Sequence, residues 1–117
     1  MATIELFRNS IDTQNYPAGE VIFRQGDTGE LMYAVQKGTV EIRLGERVIQ
    51  THGPGDIFGE MAIIDNQPRS ATAVAATDCR LVPIDEHRFM FLVQQTPFFA
   101  IQVMRVMADR LRRLMSA

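Results

Sequence analysis

The residue types best suited to chemistry gather between positions 58 and 73, FGEMAIIDNQPRSATA. Gly59 and Glu60 are adjacent, and Arg69 follows the glutamate by nine residues, introduced by Pro68 and trailed by Ser70. Glycine lets a backbone approach a neighbour closely or take up a positive φ. The short apolar run MAII suits a helix, which would put Gly59 and Glu60 at its N-terminus, where free N–H groups favour an anion. Arginine offers a planar fork matched to a phosphate, the proline stiffens its approach, and the serine adds a hydroxyl donor. An ionised glutamate only accepts, so Glu60 suits a hydroxyl or amine. A ligand with a monoanionic phosphate beside a free hydroxyl would satisfy this set. A ribose cyclic phosphate fits, because its ring closure leaves only the 2′-OH for a carboxylate to grip. A plainer reading stands beside it: Arg69 pairs with Glu60 and pins a loop, which composition alone favours.

The rest of the chain must position these groups. A length of 117 residues suits one domain, long enough to bury a core without staples. The net charge of −2 gives no reason to expect general nucleic-acid binding. No apolar run approaches membrane-spanning length and MATIELFRNS has no signal-peptide pattern, so a cytoplasmic protein with no membrane segment is expected. Cys79, the single cysteine, reads as a small core residue in a strand. Arg105, Arg110, Arg112 and Arg113 gather near the C-terminus and read mainly as a solvated helix face whose cations suit the helix dipole.

Up to residue 84 the pattern is β. Apolar segments at 20–25, 31–36, 39–44, 47–50, 70–76 and 79–84 are separated by turn signals such as PAG, GDTGE and GPGD. Val40, Ile42 and Leu44 alternate with Glu41 and Arg43, as in a half-buried antiparallel strand. Short strands with glycine turns predict a sandwich, jelly roll or small barrel. The period then changes. Residues 85–94 predict a short helix capped by Asp85, and Thr96-Pro97 opens a long one reaching about residue 115. Its stripe runs through Ile101, Met104, Met107 (or Ala108), Leu111 and Leu114 or Met115. That stripe could pack on the chain's own barrel or pair with a second copy, and Val103 and Val106 widen the face enough to tilt the balance toward a homodimer.

Enzymatic chemistry finds little support. His52 and His87 have no metal-ligand spacing, no Ser-His-Asp arrangement lies near a motif, and no Walker-type loop occurs. Neither enzyme activity nor a bound cofactor or metal is expected.

The segment FGEMAIIDNQPRSATA resembles the phosphate-binding cassette of the cyclic nucleotide-binding domain family, whose pattern is roughly F-G-E-x-A, a short link, then P-R-x-A-T. PAGEVIFRQGD at 17–27 and LMYAVQKGTVEI at 31–42 resemble the family as well, and the likeness extends over about residues 14–115. The family includes catabolite activator proteins, regulatory subunits of cAMP-dependent protein kinase and cyclic-nucleotide-gated channels. The resemblance implies a mainly β fold, a jelly-roll-like β-roll over about 14–84, followed by a short helix over 85–94 and a long one over 97–115, all in one domain spanning 1–117. It implies a ligand-binding set of Phe58, Gly59, Glu60, Met61, Ala62, Arg69, Ser70, Ala71 and Arg110. Gly59 would touch the ribose through its backbone and Glu60 would accept the 2′-OH. The Ala62 amide would face the phosphate, Arg69 would neutralise it, and Ser70 would donate to it. The long helix would close over the ligand, with Met107 or Leu111 as an apolar lid. Arg110 could stack on the purine, although a solvated arginine is the simpler expectation there. The same RSAT occurs in cAMP-preferring bacterial relatives, which favours cAMP over cGMP. The DNA-reading helix-turn-helix of the activator proteins has no counterpart in these residues, so the effector would be another, unidentified protein. A ligand-free dimerisation module of the same fold is the alternative.

Overall fold

The computed structural model describes residues 3–116. Among these residues, eight strands form two four-stranded sheets of antiparallel pairs, and three helices accompany them. The first sheet runs β1 (Gln14–Tyr16), β8 (Cys79–Ile84), β3 (Met32–Lys37), β6 (Ile57–Phe58). The second runs β2 (Val21–Phe23), β7 (Thr72–Ala75), β4 (Val40–Leu44), β5 (Arg47–His52). The one-turn α1 (Met61–Ile64) interrupts the strands, and α2 (Glu86–Gln95) and α3 (Phe98–Ser116) follow them.

Alternation explains the strands. In β4, Val40 and Ile42 are buried while Glu41 and Arg43 are half-buried. They face Ala73, Ala75 and Leu81, with Tyr33 and Phe58, in a core between the two sheets. A second core lies between the first sheet and the C-terminal helices, built from Met32, Ile57, Val82 and Ile84 against Phe99, Val103 and Val106. The two strands that alternation missed, β1 and β6, have three and two residues, too few for a period to register, and they exist because β8 and β3 supply partners. The N-terminal segment forms a turn at 6–9 and buries Ile4 and Phe7, with Phe7 edge-on to Phe99 at 5.7 Å.

Asp85 caps α2 as expected, its carboxylate accepting from the Arg88 amide at 2.7 Å. The stripe on α3 differs from the simplest expectation. Phe99, Val103 and Val106 face the core. Ile101, Met104, Leu111, Leu114 and Met115 are exposed, and only Met107 of the expected stripe packs partly against the core. The helix therefore rests on its own domain by a neighbouring face and leaves most of the stripe uncovered within the chain. Among the described residues, no helix is long and apolar enough to cross a membrane.

Candidate functional site

A cavity of about 550 Å³ opens between the second sheet, α1, the loop before β7 and the C-terminal half of α3. That volume falls within the range of small-molecule sites. Its lining includes Phe58, Gly59, Glu60, Met61, Ala62, Arg69, Ser70, Ala71 and Arg110, so the fold brings every expected site residue to one place.

Two sequence segments fix Arg69. Its amide donates to the Asp27 carbonyl at 2.8 Å, and its carbonyl accepts from the Gly26 amide at 2.8 Å. The GDTGE turn thus clamps the backbone on both sides. Arg69 is 8% exposed. Nη1 donates to the Gly59 carbonyl at 3.0 Å and Nη2 to the Leu31 carbonyl at 2.5 Å, while Cζ lies 4.0 Å above the Phe23 ring. Nε is buried without a hydrogen-bond partner. Burial pushes the Arg69 pKa below its ordinary value, against the opposing fields of Tyr33, Asp27 and Glu60. The pairing of Arg69 with Glu60 that composition favoured does not occur: backbone carbonyls hold this cation.

Gly59 makes that arrangement sterically feasible. Its φ of +76° is costly for other residues, and a Cβ there would lie 2.9 Å from Nη1 of Arg69. Gly29 is just as demanding for another reason, since a Cβ would overlap Nε and Cζ of Arg69. Sequence reasoning read Gly29 only as turn punctuation. It also missed Phe23 and Leu31, whose roles depend on contacts across the roll.

Glu60 is 6% exposed, and its partner is Arg110. The Arg110 guanidinium donates to Oε1 of Glu60 and to the Ile57 carbonyl. The solvated Arg110 that was the simpler expectation is therefore corrected, because its side chain is only 18% exposed. Helical spacing explains the placement: Val103 and Val106 anchor α3 on the core, and Met107, Arg110 and Leu114 continue that side into the cavity. The expected α1 does begin after Glu60, but it is a single turn, and the Ala62 amide points back to the Gly59 carbonyl at 3.3 Å. Ser70 is exposed at the rim, and Ala71 is buried beneath it.

Behind Phe58 lies His52, 6% exposed, its ring parallel to the phenyl at a centroid distance of 5.9 Å. Nε2 stands 3.1 Å from Oε1 of Gln50, a cavity-lining residue. Burial, reinforced by the nearby Arg110 charge, lowers the His52 pKa to about 4. Among the described residues, no group of three or more His, Cys, Asp or Glu side chains could hold a metal ion.

The family model described as the cyclic nucleotide-binding domain matches residues 13–96. The chain belongs to the cyclic nucleotide-binding domain family. A cAMP-dependent protein kinase regulatory subunit of Eremothecium gossypii is 48% identical over 81 residues, covering 69% of this chain and 18% of that protein. The crystal structure of Thermus thermophilus catabolite activator protein shares the fold with a TM-score of 0.79 and 37% identity, covering 87% of this chain and 50% of that one. The EAL enzyme Bd1971 in its cGMP-bound form has a TM-score of 0.64 at 36% identity, covering 86% of this chain and 28% of that one. Its cAMP-bound form gives the same TM-score at 33% identity, covering 89% and 29%. The family fold is thus the expected β-roll with C-terminal helices. This chain spans half or less of each of these relatives.

Proposed function

We propose that this domain is a regulatory sensor of a 3′,5′-cyclic purine nucleotide, with cAMP as the preferred ligand. The observation that carries the reading is Arg69. A buried guanidinium, paired with no carboxylate among the described residues, sits in the wall of a cavity of about 550 Å³. Two of its five N–H donors are taken by carbonyls, and its charge remains available to a phosphate. Ser70 at the rim adds a hydroxyl, and Glu60 keeps Oε2 for the ribose 2′-OH while Arg110 holds Oε1. The preference for cAMP rests on the kinase regulatory subunit, whose name carries that ligand.

The signal passes through α3. Met107, Arg110, Leu111 and Leu114 already line the cavity, so a bound nucleotide would favour the helix position that touches it. The uncovered stripe through Ile101 and Met104 would pair with a second copy, and an effector protein would read the change.

Calorimetric titration with cAMP and then cGMP, repeated on Arg69→Ala, tests the reading. Saturable binding that weakens by about 2 kcal/mol or more, roughly thirtyfold, is expected on losing the charged contact. Unchanged affinity in the variant would sink the assignment. No binding by wild type would favour the alternative, a ligand-free dimerisation module, for which the Arg110–Glu60 pair already satisfies the buried carboxylate.

A further inference from the structure

Gln50 lines the cavity from β5, at the opposite edge of the second sheet from β2, which carries Phe23. The register of the second sheet places four residues in one row: Phe23 opposite Ala73, Ala73 opposite Ile42, and Ile42 opposite Gln50. Three strand spacings separate the backbone at Phe23 from that at Gln50, about 14 Å. Arg69 lies over Phe23, at the first end of that row. Phosphate, ribose and base, extended along the row, bring a nucleobase edge to Gln50 when the phosphate is on Arg69.

The Gln50 amide is placed with its oxygen toward His52. Burial of the histidine and the Arg110 charge keep the imidazole neutral, so it carries a single N–H. Nδ1 stands 3.6 Å from Oδ2 of Asp56, longer than an ordinary hydrogen bond, while Gly53 donates its amide to the same oxygen at 2.9 Å. With the Gln50 oxygen placed 3.1 Å from Nε2, that contact requires the proton on Nε2, donating to Oε1. The oxygen of Gln50 is thereby occupied, and its NH2 is the group it offers the cavity. Asp56, Arg110 and Arg113 are the charged groups that act on this histidine.

We propose that Gln50 is a base-reading residue, donating from its side-chain NH2 to a ring-nitrogen acceptor of the purine, with His52 as the positioning residue that fixes the amide's orientation. This rests on the cyclic-nucleotide reading of the cavity. N3 and N7 are acceptors in both adenine and guanine, so a donor to either of them accepts both bases, whereas N1 is an acceptor in adenine and a donor in guanine, so a donor to N1 selects adenine.

The test compares cAMP with its 1-deaza, 3-deaza and 7-deaza analogues by calorimetry, on wild type and on Gln50→Met, which keeps the side-chain length and removes the amide. One analogue should bind wild type roughly fivefold more weakly than cAMP, the scale of one hydrogen bond. Gln50→Met should lose a similar factor for cAMP and show no further loss with that analogue. Equal affinity of wild type for cAMP and all three analogues overturns the assignment of Gln50 while leaving the site itself intact. An analogue penalty that persists undiminished in Gln50→Met also overturns it. Failure of wild type to bind cAMP removes the reading of the cavity and this inference together. The analogue series on wild type needs no variant, so a misfolded Gln50→Met would not shield the proposal.

Discussion

Two arginines reach the same cavity from opposite walls and are held by opposite means. Arg69 comes from the roll, where strand-like backbone bonds to residues 26 and 27 fix its position and carbonyls and a phenyl ring receive its guanidinium. Arg110 comes from α3 and meets the Glu60 carboxylate. The first cation has no carboxylate within salt-bridge distance among the described residues, although Asp27 and Glu60 act on it from further off, and the second is paired within the protein. A buried charge without a counterion disfavours the empty state and favours an anionic ligand, whereas a buried ion pair ties two walls together. On the proposed reading, the roll wall serves binding and the helix wall serves coupling.

The largest effect that would separate the two walls is on stability. Arg110→Met strands the buried Glu60 carboxylate and should cost about 3 kcal/mol in urea unfolding. Adding Glu60→Gln should recover much of it. An Arg110→Met protein as stable as wild type would erase the distinction. His52 probes the same wall through pH. Its folded pKa of about 4 lies below its ordinary 6.5, so between these values the unfolded chain binds the proton and the folded one does not. Stability should be complete above pH 6.5 and fall as pH drops toward 4, by up to roughly 3 kcal/mol, and His52→Phe should flatten that part of the profile.

On the roll wall the effects should appear in binding. Gly29→Ala leaves the fold in place but displaces the Arg69 guanidinium, and nucleotide affinity should fall about tenfold in titration. Affinity equal to wild type would mean that the guanidinium's seat does not matter. The smallest effect concerns the outer face of α3. Met104→Glu, more than half exposed and away from the cavity, should shift a dimer toward monomer in sedimentation at micromolar concentration with little change in nucleotide affinity. A wild-type protein that sediments as a monomer with and without cAMP would remove the second copy from the proposal.

Local sequence carried much of this protein. Alternating apolar residues in β4, the Asp85 cap and the change of period after residue 84 rest on neighbours in the chain, and the structure keeps all three except at Leu44, which is exposed at the end of β4 rather than buried with Val40 and Ile42. Gly59, Glu60, Arg69 and Ser70 could be gathered into one candidate site because they lie within twelve residues of each other. The partners of those residues were another matter. Glu60 looked equally able to meet Arg69, nine positions away, yet it meets Arg110, fifty positions away, because α3 folds back over the cavity. Gly29 and Leu31 hold Arg69 only because the roll closes, and Gln50 joins the site only through the row Phe23, Ala73, Ile42, Gln50. The sequence by itself determined which groups carry charge, which segments can be strands or helices, and where a backbone can bend, since these depend on residue type and short-range sterics. Which charge meets which, and which face of α3 is buried, was decided by tertiary structure, because burial and pairing depend on distances that only packing sets.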